Sequence, residues 1–347
     1  MKPEISTLRF VLSTLAAALL LASAAAVSSA RQAGGVVKTD SGRIVVTLGV
    51  VDKDGAPVEG LKPEDLRVTV EGAGQQIVSL APHAGEPLHV VLMLDTSTSQ
   101  EQILKFARPA ASEFVSALLR PGDGVKGDAA VLIFTGDAKV VANLTTDLAA
   151  LERAIESARF VPPPGYIGGG LIVTGTPAKN DPAMRAGSTA IWDALVAACD
   201  DVLARAAEGR RVVVIFTDGD DTSSRTKQDK AVERLSREGV SVYAVGVGDS
   251  YNFAGVSKGE LRKVSERTGG RAFFPKTTGD LARDLERLRR ELLSSYALAL
   301  APAAARAGGK PYKLRVEVAN PELRKRGVEL AYPQGFYAGD APAAVKK

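Results

Sequence analysis

Two aspartates and three hydroxyl residues stand where this sequence can do chemistry. Asp95, Ser97 and Ser99 form a D-x-S-x-S stretch directly behind a nearly continuous apolar run, residues 88–94. A second run, residues 212–216, leads through Thr217 into Asp218-Gly219-Asp220-Asp221. Between them, Gly187-Ser188-Thr189 sits immediately before a helical pattern. In an open parallel sheet, ligands bind beyond the carboxyl ends of the strands, at a topological switch point. Asp95, Ser97, Ser99, Thr189 and Asp218 are therefore expected on one edge. They offer oxygen alone, a hard donor set that suits magnesium, manganese or calcium and not zinc or copper. Three neutral hydroxyls leave a cation under-neutralised, and magnesium keeps positions for water or a ligand, so an incoming Asp or Glu can fill one. Such a site binds a carboxylate and needs no general base. The competing reading has Ser97 and Ser99 cap the following helix and Asp218 merely order its loop.

The elements that must position these groups alternate. Residues 88–94, 129–134, 212–216 and 240–245 read as strands buried on both faces. Helical patterns lie at 102–119, 148–158, 190–206, 228–237 and 261–268, and Leu281, Leu285, Leu288 and Leu292 stripe a further helix. This alternation predicts an α/β fold, a doubly wound and mostly parallel sheet with helices on both faces. Pro109 falls inside the first helix and is expected to kink it. Short β segments flank the core, at 43–82 and again from Lys310 onward. Each is too small to hold a core alone, so the two are expected to pair into one small β domain. The expected division is 1–30, 31–84, 85–301 and 302–347.

Composition removes other classes. The chain has 347 residues, 45% apolar and 24% charged, with a formal charge of +4 and 5% aromatics. Basic residues are interspersed with acidic ones, which argues against nucleic acid as a partner. One cysteine and two histidines make neither an internal disulfide nor a common zinc site. Lys2 and Arg9, the apolar run 10–21 and Ser28-Ser29-Ala30 read as a secretory leader cleaved before Arg31. An exported protein follows, periplasmic, cell-envelope or secreted, with no integral membrane domain unless the leader stays as an anchor.

The stretches LMLDTSTS, LLRPGD, STAIWDAL, VIFTDGDDTSS, VYAVGVG, TGGRAFFP and GFYA follow in order, with VVDKDGAPVEGLKPEDL nearer the front. Together they resemble a von Willebrand factor type A (VWFA) domain carrying a metal-ion-dependent adhesion site, in particular the exported, acidobacterial-type VWFA-related group. The resemblance covers most of the chain after the leader and implies a binding module, not an enzyme. Position by position it makes Asp95, Ser97 and Ser99 the first metal loop, Thr189 the second and Asp218 the third. The cation implied is Mg2+ or Mn2+, with Ca2+ admitted, and the partner a protein presenting Asp or Glu. Thr98 and Gln100 stand where relatives often carry Gly and Met, which predicts a stiffer first loop. Two alternatives are a metal-free scaffold of the cell envelope and a magnesium-dependent haloacid-dehalogenase-like phosphohydrolase. The second needs an acid where Ser97 stands.

The remaining polar residues read more plainly. Asp220 and Asp221 are expected as solvated acids, and Thr222 and Ser223 as caps of the next helix. Cys199 and Trp192 read as packing residues. His83 and His89 show no nearby acid–nucleophile arrangement in the sequence. The irregular stretch 160–188 runs straight into Thr189. It is expected either to add a recognition surface through Tyr166, Leu171 and Ile172 or to be a mobile insertion without a partner.

Overall fold

The computed structural model describes residues 44–83, 85–120, 122, 126–168, 171–172, 187–248, 255–301 and 310–337. The leader and its cleavage site lie outside the described residues. The chain begins with β1 (Ile44–Val51), β2 (Leu66–Val70), β3 (Ala73–Gly74) and β4 (Ile77–Pro82). The alternating part runs β5 (Leu88–Asp95), α1 (Leu104–Leu118), β6 (Gly127–Phe134), β7 (Ala138–Thr145) and α2 (Leu148–Glu156). A short hairpin follows, β8 (Tyr166–Gly168) and β9 (Leu171–Ile172), and then α3 (Ile191–Ala197), extended by tighter and wider turns to Arg205. Next come β10 (Arg210–Thr217), α4 (Gln228–Glu238), β11 (Val240–Gly246), α5 (Lys258–Thr268), β12 (Ala272–Phe273) and α6 (Thr278–Leu293). The chain closes with β13 (Tyr296–Leu300), β14 (Tyr312–Val318), α7 (Pro321–Lys325), β15 (Glu329–Ala331) and β16 (Gly335–Phe336).

The central sheet has the order β12-β11-β10-β5-β6-β7, parallel except for β7. β5, β10 and β11 are buried at every position, as their unbroken apolar runs require. One core lies between one face and α1, α2 and α6; the other lies between the opposite face and α3, α4 and α5. The edge strand β7 was not expected, because its partly exposed residues show no clean two-residue period. α1 runs unbroken through Pro109 from Leu104 to Leu118. The chain winds outward from β5 to β6 on one side and from β10 to β11 on the other, which makes the β5–β10 gap the switch point.

The flanking segments pair as expected. β2 lies antiparallel to β14, from Leu66↔Val318 to Val70↔Leu314, and β1 pairs with β15. Two four-stranded sheets result, β15-β1-β13-β4 and β16-β14-β2-β3, packed over Leu48, Val68, Leu298, Leu314 and Phe336. β13 follows α6 directly and runs antiparallel to both β1 and β4, so this strand serves the β unit. The two parts also share a buried acid: Glu291 of α6 takes Tyr243 Oη at 3.0 Å and Arg271 Nε at 3.0 Å, while Arg271 reaches Glu329 of β15.

Candidate functional site

Asp95 ends β5 and Thr217 ends β10, so the two lie side by side at the switch point. Asp95 is 1% exposed; its Oδ1 accepts the Ser97 amide at 2.9 Å and its Oδ2 the Thr217 hydroxyl at 2.6 Å. Asp218, the next residue along, is equally buried. Its Oδ1 accepts the Asp220 amide at 3.0 Å, and its Oδ2 the Gln100 side-chain amide at 3.1 Å. The Ser99 hydroxyl also favours the charged form of Asp218. Gln100 is 2% exposed and reaches the Val247 carbonyl as well, at 3.3 Å.

Ser97 occupies the cap position of a short 3-10 turn, Thr98–Gln100, yet its hydroxyl makes no cap bond. It lies instead 3.2 Å from Ser99 Oγ. α1 starts only at Leu104, with Ile103 before it. The helix-capping role considered for Ser97 and Ser99 therefore fails, and the two hydroxyls face each other beside the carboxylates. Thr98 adopts the 3-10 turn without positive φ, and its hydroxyl donates to the Gly187 carbonyl at 3.1 Å. The substitution expected to stiffen the first loop thus ties it to the second.

Thr189 is 4% exposed. Its amide donates to Thr222 Oγ1 at 2.9 Å, and its carbonyl accepts the amides of Thr222 and Ser223 at 2.9 and 3.0 Å. The structure thus links Asp95, Ser97, Ser99 and Asp218 through the Ser97 amide, the paired serine hydroxyls and the Gln100 side chain, and joins Thr189 to the third loop through its backbone. Thr222 and Ser223 do not cap a helix, since α4 begins after Lys227; Ser223 Oγ pairs with Ser188 Oγ at 3.0 Å. Asp220 is exposed as expected, but Asp221 is not a free acid. It accepts the Ile191 amide at 2.7 Å and the Ser224 hydroxyl at 2.6 Å, at the start of α3. Trp192 and Cys199 are buried packing residues.

Burial pushes the Asp95 carboxyl up to about 7, and the Asp218 charge adds to the rise. Burial likewise raises Asp218, against the bonds it accepts from Ser99, Gln100 and Asp220. Two desolvated carboxylates with no cationic side chain bonded to either among the described residues are unfavourable neighbours. A hard divalent cation fits this donor set of carboxylate and hydroxyl oxygens. Among the described residues no group of three or more His, Cys, Asp or Glu converges, so a cation held here needs the hydroxyls too.

Residues missed in the sequence are Thr217, which orients Asp95, and Gln100, which orients Asp218. Thr217 was legible as the last strand residue before Asp218; Gln100 stood out only as a departure in the first loop, and nothing in the sequence announced its bond to Asp218. His83 is also corrected: its Nδ1 pairs with Glu86 and its Nε2 lies 3.3 Å from Thr47 Oγ1, an acid–imidazole–hydroxyl row that no sequence spacing announced. His89 stays a strand residue, its Nδ1 2.7 Å from Asp128. Near the candidate site, Tyr166 packs edge-on against Phe160 at 4.9 Å and bonds Glu101, while Val161 and Ile167 are 61% and 67% exposed. Of the Leu171 and Ile172 side chains, and of 173–186, the expectation lies outside the described residues.

Residues 178–287 match the family model of the von Willebrand factor type A domain, a span that includes Thr189 and Asp218 and begins after the first loop. Among solved structures, von Willebrand factor type A from Catenulispora acidiphila is 14% identical. It covers 88% of this chain and 77% of its own, with a TM-score of 0.45. An aerotolerance-related membrane protein from Bacteroides fragilis is 17% identical, over 59% and 99% of the two chains, TM-score 0.42. Proximal thread matrix protein 1 from the mussel byssus, solved with a zinc-occupied metal-ion-dependent adhesion site, is 19% identical, over 66% and 50%, TM-score 0.46. No curated protein matches.

Proposed function

We propose that this chain, which carries a von Willebrand factor type A domain, is an exported, non-enzymatic binding module that recognises a protein partner through a divalent cation. Asp95, Ser97, Ser99, Thr189 and Asp218 would hold the ion, Mg2+ or Mn2+ by the hardness of their oxygens. When bound, the cation supplies Lewis-acid attraction for a partner's Asp or Glu. The chain's own residues do the rest. Thr217 and the Ser97 amide fix Asp95, and Gln100 and the Asp220 amide fix Asp218. Thr98 holds the first loop to the second.

The observation that carries this reading is the pair of buried carboxylates, Asp95 and Asp218, with the Ser97 and Ser99 hydroxyls paired in the loop between them and the Ser97 hydroxyl making no cap bond. Calorimetric titration of the EDTA-treated mature chain with Mg2+ or Mn2+ should give a single site. Absence of any binding at millimolar metal would leave a metal-free envelope scaffold as the function. A phosphohydrolase is disfavoured because Ser97 stands where that chemistry needs an acid. Among the described residues no helix is long and apolar enough to cross a membrane. Export rests on the amino-terminal pattern, and mass spectrometry of protein from its host should find the mature chain starting near Arg31. The working division is a leader at 1–30, β segments at 31–84 and 302–347, and the type A domain at 85–301, whose last strand, β13, pairs into the β unit.

A further inference from the structure

A second site lies at the opposite end of the central sheet. A cavity of about 400 Å3 opens where the first residues of β10 and β11 meet β1, β13 and the turn between β4 and β5. Arg210, the first residue of β10, lines it and is 9% exposed. Its Nη1 donates to the Leu292 carbonyl and to Ser295 Oγ, each at 2.6 Å. Both partners are neutral. Its Nε is buried with no hydrogen-bond partner.

A buried guanidinium held by neutral groups, with an unpartnered N–H beside a cavity, is an uncommon arrangement. Burial lowers its affinity for its proton, and the nearby Glu86 charge works against that. Glu86 is itself paired with His83, whose other nitrogen faces Thr47. We propose that this cavity binds a small organic monocarboxylate, with the carboxylate on Arg210. Val45, Val212, Leu292 and Ala297 line the remaining wall and suit an apolar body of a few carbons. Two acids, Glu86 and the exposed Glu208, line the same cavity as Arg210 and Arg211, and their repulsion grows with the charge of the ligand, which disfavours a doubly charged anion such as phosphate relative to a monoanion. The site is independent of the five candidate metal residues, none of which lines it.

The test uses the full mature chain and three probes: sodium benzoate, neutral benzamide of the same shape, and sodium phosphate at matched ionic strength. Benzoate should bind saturably by ligand-observed NMR and raise the melting temperature, while benzamide and phosphate should do neither. Arg210→Met should weaken benzoate at least tenfold. Should that variant fail to fold, Ala297→Leu fills the cavity without touching a charge and should abolish binding. Asp218→Ala should leave benzoate binding unchanged. No saturable benzoate signal, equal binding of benzamide or phosphate, or undiminished binding by Ala297→Leu would each overturn the proposal.

Discussion

The Gln100 side-chain amide donates to Asp218 Oδ2 at 3.1 Å, joining the loop after β5 to the loop after β10 across the switch point of the sheet. The same nitrogen reaches the Val247 carbonyl, beyond β11. One buried amide therefore ties together the carboxyl ends of three adjacent strands.

Removing that donor should be costly. Hydrogen bonds to charged groups contribute roughly 1.5–3 kcal/mol, so Gln100→Ala should lower metal-free stability by about 2 kcal/mol in urea unfolding. Gln100→Glu should lower it further, because it places a third carboxylate against Asp218. Equal stability of all three proteins would show that Gln100 does not hold Asp218.

The Asp95 carboxyl gives a pH signature. Unfolded, it releases its proton near the ordinary aspartate range; folded, it holds the proton up to about 7. Between these values the folded state binds more protons, so the metal-free protein should lose stability as pH rises from about 4 to about 7. At about 1.4 kcal/mol per pH unit the total is a few kcal/mol. Asp95→Asn should flatten that part of the profile in EDTA. A wild-type profile already flat over this window would contradict the burial argument.

The paired β segments make a structural prediction. Deleting residues 310–347 removes β14 and leaves β2 with an open edge where Leu66–Val70 now pair with Leu314–Val318. Hydrogen exchange at residues 66–70 should lose its protection, and the truncated chain should aggregate. Unchanged protection there would mean that β2 is stable without its carboxyl-terminal partner.

Much of this was legible because it depends on local pattern. The apolar runs of β5, β10 and β11 announced a parallel sheet, and strand ends announced where Asp95 and Asp218 would stand. β7 was not legible, since an edge strand with intermediate exposure carries no strict alternation. Gln100, Asp221 and the Thr47–His83–Glu86 row were missed for another reason. Each takes its role from a partner far along the chain, Asp218, Ile191 or Thr47, and a single sequence does not show which distant residues the topology brings together. Thr98 was misjudged because its cost was argued from φ, while its benefit is a bond to Gly187 that only the folded loops create.

The central claim is that Asp95, Ser97, Ser99, Thr189 and Asp218 hold one divalent cation, and thermal unfolding tests it most directly. A ligand that binds only the folded state stabilises it by about 2.7 kcal/mol at a hundredfold excess over Kd, a rise in Tm of roughly 5 °C. Wild type should show that rise with saturating Mg2+ or Mn2+ and lose it on adding EDTA. Asp218→Ala and Ser97→Ala/Ser99→Ala should fold but show no rise, while Asp220→Ala and Cys199→Ser should respond as wild type does. A wild-type Tm unmoved by millimolar metal, or a full response in Asp218→Ala, would contradict the account.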